Sequence, residues 1–164
     1  MKRVALIMGS DSDAPVVRKA AAVLDDLAIP YTVHIMSAHR TPVRTAAFAA
    51  DAANNGYGVL VAFAGKAAHL AGVIASQTAL PVIGVPIKGS DLGGLDALLS
   101  TVQMPSGIPV ATVAIDGGAN AAWLAARMLA ANDETLYERL ACQMRKMAEA
   151  VEQKDRDFSL DTSK

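Results

Sequence analysis

Five times along the chain a short apolar run gives way to a longer stretch patterned for a helix, and this alternation restricts the fold more than any other feature. The runs are "VALIMG" from Val4, "YTVHIM" from Tyr31, "GVLVAFAG" from Gly58, "PVIGVP" from Pro81 and "VATVAI" from Val110. A strand with one wet face alternates apolar and polar residues; nearly continuous apolar runs instead predict strands covered on both faces, as in a parallel sheet between helical layers. The covers follow each strand: helical patterns over Val16–Ala28, Pro42–Asn55, Lys66–Thr78, Gly94–Gln103 and Gly117–Ala131, then a last helix over Asp133–Gln153. Asp13 or a neighbouring serine is placed to cap the first helix, with Pro15 in its first turn, and Asn55-Gly56 is a stop signal for the second.

The 164 residues suffice for one well-buried domain, expected over residues 1–153, with a polar tail at 154–164 loosely ordered unless a neighbouring subunit holds it. Hydrophobic residues make up 52% of the chain but aromatics only 4%, so packing must rely on small aliphatic side chains, and the apolar surface exceeds what one copy readily buries. Self-association follows as an expectation. Fifteen basic residues against sixteen acidic ones leave no broad field to attract nucleic acid or an anionic membrane, so the partner is expected to be a small molecule or another protein. The lone Cys142 excludes an intrachain disulfide, reads as an inert thiol on the last helix, and fits a reducing compartment. The run Val4–Met8 is shorter than the roughly 7–15 residues of a signal-peptide core, and no run approaches the ~20 residues of a membrane span; a cytoplasmic location is expected.

Chemistry gathers where strands end. In an open parallel sheet, ligands bind beyond the carboxyl ends of the strands, and the segments "GSDSD", "SAHRTP" and "AGKAAHLAG" follow the first three strands. In the first, Gly9 permits a tight turn, Ser10 and Ser12 offer hydroxyls, and Asp13 suits sugar hydroxyls, although the same residues could form a plain turn and cap. In the second, Arg40 is a bidentate phosphate ligand with Ser37 as a helper, and His39 is an acid–base group near neutral pH. In the third, small residues allow close backbone approach, and His69 falls in the first turns of a helix. His34, inside an edge strand, reads as structural. The three histidines share no ligand spacing with cysteines or carboxylates, so no metal is expected, and no GxSxG elbow exists. A phospho-receiver would need an Asp after the third strand and a Lys after the fifth, where this chain has "AGK" and "IDGG"; a flavodoxin would need flanking aromatics.

In their order and spacing, "MGSDSD", "SAHRTP", "AGKAAHLAG", "LPVIGVP", "GLDALLS" and "VQMPSGIPVATVAI" resemble the N5-carboxyaminoimidazole ribonucleotide mutase family of purine biosynthesis, over about residues 3 to 130. The resemblance implies a flavodoxin-like three-layer sandwich with strand order 2-1-3-4-5 and an extra C-terminal helix, assembled as a homo-octamer with active sites between subunits. It implies reversible carboxyl transfer from N5 to C4 of an aminoimidazole ribonucleotide, with neither metal nor organic cofactor. By position, His39 matches the proton-transfer histidine; Ser10, Asp13 and Arg40, with Ser12 and Ser37, match the ribonucleotide ligands; Gly65, His69 and Leu70 match the loop over the migrating carboxyl group. The uninterrupted "SAHRTP" favours the mutase over the related class that carboxylates aminoimidazole ribonucleotide with free CO2, which typically carries Lys after the His. A non-catalytic phosphate-ligand module on the same fold is the remaining rival. Two positions depart from the common pattern of that family: Lys66 stands where glycine or another uncharged residue is usual and Ala71 where proline is frequent.

Overall fold

The computed structural model describes residues 1–89 and 91–159. Strands β1 (Arg3–Met8), β2 (Tyr31–Ile35), β3 (Tyr57–Gly65), β4 (Val82–Ile87) and β5 (Ala111–Thr112) pair in parallel in the order β2-β1-β3-β4-β5, as the resemblance implies. Helices α1 (Ala14–Asp26), α2 (Pro42–Asp51), α3 (Leu70–Ala75), α4 (Leu95–Val102), α5 (Gly118–Ala130) and α6 (Glu134–Asp157) complete the fold. Alternate residues of β1, β3 and β4 enter separate cores, the consequence of a two-residue side-chain period. Val4, Leu6, Val59, Val61, Phe63, Ile83 and Val85 meet α1, α5 and α6 on one face, while Ala5, Ile7, Leu60, Ala62 and Val82 meet α2 and α3 on the other. The scarcity of aromatics is answered by alanines: Ala121, Ala122, Ala125 and Ala126 of α5 are fully buried, which lets that helix approach α1 and the sheet closely.

Several boundaries differ from the sequence reading. The fifth apolar run forms a ladder of two residues rather than six. Asp116 N donates to Pro86 O at 2.8 Å, so Pro86 faces β5, and the N–H that would extend the ladder beyond Gly84 is missing at that proline. α3 is half the expected length because the segment opens with a left-handed residue, Lys66 at φ 54°, and turns until His69, which caps the helix instead of lying in its first turns. α2 ends at Asp51 and passes through turns to Gly56, at φ 79°. α6 runs to Asp157, four residues past Gln153, so the expected tail begins inside a helix; residues 160–164 lie outside the described residues. Asp133 caps α6 through its carboxylate, which accepts from Leu136 N at 3.0 Å. Among the described residues no helix is long and apolar enough to cross a membrane.

Candidate active site

The carboxyl ends of β1, β2, β3 and β4 open onto one cavity of about 520 Å³. The first wall is the turn after β1. Ser10 Oγ accepts from Ser12 N at 3.3 Å, closing a 3-10 turn over Asp11–Asp13, and Ser12 Oγ lies 2.9 Å from Ser10 Oγ. Ser10 caps this turn rather than α1, whose N-cap residue, Asp13, makes no side-chain capping bond, which leaves the Asp13 carboxylate to line the cavity. Asp13 is 7% exposed, and burial pushes its carboxyl above the ordinary value. Hydrogen bonds from the Ser12 side chain and the Ser10 backbone oppose that rise, and the charges of Asp11 and Asp116 add to it. A buried carboxylate kept at such a cost is suited to accept hydrogen bonds from a ligand that enters.

The second wall is "SAHRTP". Thr41 Oγ1 accepts from Ser37 N at 2.9 Å and stands 3.0 Å from Ser37 O, while Ser37 Oγ accepts from Arg40 N at 3.2 Å. These interlocked bonds hold a tight turn, so Ser37 is a structural acceptor whose own hydroxyl proton remains available to the cavity. The turn projects two basic side chains in different directions. Arg40 Nη2 donates to Gly9 O at 3.0 Å, tying the β2 exit to the β1 exit and using one of five guanidinium N–H groups. His39 Nε2 sits 3.0 Å from His69 Nδ1, with the rings edge to face. A bond between two ring nitrogens needs one N–H and one lone pair, so each tautomer dictates the other and the two imidazoles share a single proton.

Of the residues expected from the sequence, Ser10, Ser12, Asp13, Ser37, His39, Arg40, Gly65 and Leu70 line the cavity together; His69 does not, and joins it through His39. The fourth exit, Ile87, Lys88 and Gly89, was missed, along with Ala38, Ala64 and Ala67. The available signal was "IKG" directly after a strand, a cation and a glycine at the next position of the same sheet edge. That exit is anchored by Lys88 N donating to Asp116 Oδ1 at 2.9 Å. Lys66 lines the cavity, and its φ of 54° is one that glycine adopts without strain. Ala71 is buried in the first turn of α3, where a proline's missing N–H costs nothing, so alanine and proline are interchangeable in backbone terms. His34 lies away from the cavity: Nε2 is 2.8 Å from Thr32 Oγ1 and its ring packs on Phe48, and burial, then the Arg44 and Arg3 charges, hold its imidazole below its ordinary value. Among the described residues no group of three or more His, Cys, Asp or Glu is placed to hold a metal ion.

A cavity with Arg40, Lys66 and Lys88 on its walls and one acid, Asp13, favours an anionic ligand that also carries hydroxyls. The family described as AIR carboxylase matches residues 3–150. The chain belongs to that family. N5-carboxyaminoimidazole ribonucleotide mutase of Pyrococcus horikoshii is 56% identical over 151 residues, covering 92% of this chain and 85% of that protein. Phosphoribosylaminoimidazole carboxylase of Saccharomyces cerevisiae is 53% identical over 148 residues, 90% of this chain but 26% of that much longer relative. The crystal structure of Treponema denticola PurE superposes with a TM-score of 0.87 at 28% identity, covering 96% of this chain and 98% of that one. The fold of this chain is therefore shared with that solved relative over nearly its whole length.

Proposed function

We propose that this chain is an N5-carboxyaminoimidazole ribonucleotide mutase of purine biosynthesis. The observation that carries the reading is the convergence of His39, Arg40, Asp13 and the small residues Ala64, Gly65 and Ala67 on one cavity, in a chain more than half identical to proteins of that name. Arg40 offers its remaining N–H groups to the phosphate and Asp13 accepts from the ribose hydroxyls, which orients the aminoimidazole toward β3 and His39. The N5–carboxyl bond breaks with its electron pair left on nitrogen; C4 then attacks the carbon of the CO2 so released, and a C4–carboxyl bond forms. The proton on C4 leaves to His39 and returns to N5, so one proton and one carboxyl group exchange places and nothing is oxidised or reduced. The loop of small residues keeps CO2 beside the ring until recapture, and His69 takes up or supplies the proton that His39 shares with it.

Exposed apolar residues support an assembly of identical copies, as an octamer with sites between subunits. Leu92, Leu95, Leu99 and Val102 line one side of α4 and its approach, and Met144, Met147 and Val151 recur along the outer half of α6, with Phe158 just past its end. Multi-angle light scattering at a mass of one chain would refute the assembly. A cytoplasmic location accords with a biosynthetic role and with the absence of any membrane-crossing helix among the described residues. The deciding experiment incubates the protein with N5-carboxyaminoimidazole ribonucleotide and, separately, with aminoimidazole ribonucleotide plus bicarbonate. Conversion of the first at lower bicarbonate than the second requires supports the mutase; conversion of the second alone identifies a direct carboxylase, and binding without conversion identifies a ligand module.

A further inference from the structure

Lys66 departs from local preference twice. It holds a left-handed φ of 54°, unfavourable for any residue with a Cβ, and it sets a charge at the mouth of a cavity where glycine would leave open space. Its side chain is exposed but lies against the neighbouring strand exit. The stem passes over the β4 exit, where a Cβ added at Gly89 would lie 3.8 Å from Lys66 Cγ, and Nζ stands 3.7 Å from Asp91 Oδ2. Arg40 serves the opposite side: it rises from the β2 exit and is tied to Gly9 after β1. Because β1 lies between β2 and β3, the two cations follow strands that are not neighbours in the sheet.

We infer that Lys66 binds the carboxylate of the ribonucleotide, exchanging its loose contact with Asp91 for the ligand's charge while Arg40 holds the phosphate. This rests on the mutase reading and adds to it a charged partner for the carboxyl group. The ligand carries two anionic groups at opposite ends, and the cavity carries cations on opposite sides. The Lys66–Asp91 contact is long and both side chains are 72% exposed, so giving it up costs little. Lysine also suits a moving target: an ammonium on a four-carbon stem can follow a carboxylate from nitrogen to carbon, whereas a guanidinium fork holds one geometry.

The test titrates wild type, Lys66→Gly and Lys66→Arg with 4-carboxy-5-aminoimidazole ribonucleotide and with aminoimidazole ribonucleotide, which lacks the carboxylate. Glycine accepts the left-handed φ, so the first variant is expected to fold at least as well as wild type. Lys66→Gly should weaken the carboxylated ligand about tenfold and leave the uncarboxylated one within about twofold, with Lys66→Arg restoring most of the loss. Equal weakening of both ligands would place Lys66 on the phosphate or in the general field and overturn the inference, as would no change in either. A wild-type protein that binds neither ligand would overturn the mutase reading itself, an outcome distinct from an unchanged ligand ratio.

Discussion

Replacing Gly118 with alanine sets helix propensity against packing and carries the result into the site. Gly118 opens α5, where Gly→Ala alone would stabilise by up to about 1 kcal/mol. Here, however, the added Cβ would lie 2.3 Å from the carbonyl oxygen of Val16 and 3.0 Å from Val16 Cγ1. A carbon needs about 3.3 Å from a carbonyl oxygen, so the two helices must separate by about 1 Å. Backbone cannot yield as a flexible side chain can, and overpacking of this kind costs about 1–3 kcal/mol. The net expectation is a loss of about 1–2 kcal/mol, or a drop in Tm of about 2–8 °C for a domain of this size. Val16 stands three residues after Asp13, so the shift reaches the β1 exit, and a misplacement of about 1 Å there can reduce turnover by an order of magnitude or more. Differential scanning calorimetry and the conversion assay read the two effects. Gly72→Ala serves as the control, because its Cβ would meet the end of the flexible Met104 side chain at 3.1 Å and that side chain can turn aside. A Gly118→Ala protein with unchanged Tm and rate would refute the reasoning that the α1–α5 contact positions the site.

His39→Asn should abolish conversion while ribonucleotide binding stays within about tenfold, since an amide cannot shuttle the proton; an active variant would refute the proton-transfer role. Arg40→Lys replaces a fork that spans Gly9 O and a phosphate by a single ammonium, and loss of one charge-assisted bond should weaken binding about tenfold or more with kcat less affected; unchanged affinity by titration would place the phosphate elsewhere. Asp13→Asn tests linkage. A carboxyl raised above its unfolded value of 3.8 makes the native state hold its proton more tightly, so stability is lost as pH rises through the window from 3.8 to the raised folded value. The Asn variant should therefore melt higher than wild type at pH 7 and lose that advantage in acid, while binding the ribonucleotide more weakly; a lower Tm at pH 7 would contradict the burial cost assigned to Asp13.

The three inner strands, β1, β3 and β4, were legible because burial on both faces leaves an unmistakable apolar run, and the first three site segments because each follows a strand-like run. β5 was misjudged since "VATVAI" has the composition of a strand, and what limits it is a proline on its neighbour, Pro86, invisible without the pairing. The bond from His39 to His69 joins residues thirty positions apart and depends on how two loops fold, for which composition carries no signal. The β4 exit escaped notice because Lys88 and Gly89 are ordinary loop residues until the sheet order sets them beside Lys66.

That sheet order has a consequence for when the protein becomes competent. β1, first out of the ribosome, is hydrogen-bonded to β2 on one side and β3 on the other, and β4 then adds outside β3. The cavity's walls therefore cannot meet until three parallel, sequence-distant ladders have all closed, the slow kind of pairing in which loop entropy is lost before contacts compensate it. Refolding followed by far-ultraviolet dichroism should report helices well before enzymatic activity returns, and the recovery of activity should coincide with the final cooperative step. A protein that makes its chemistry from four strand ends has, in effect, made turnover a reporter of its own completed fold.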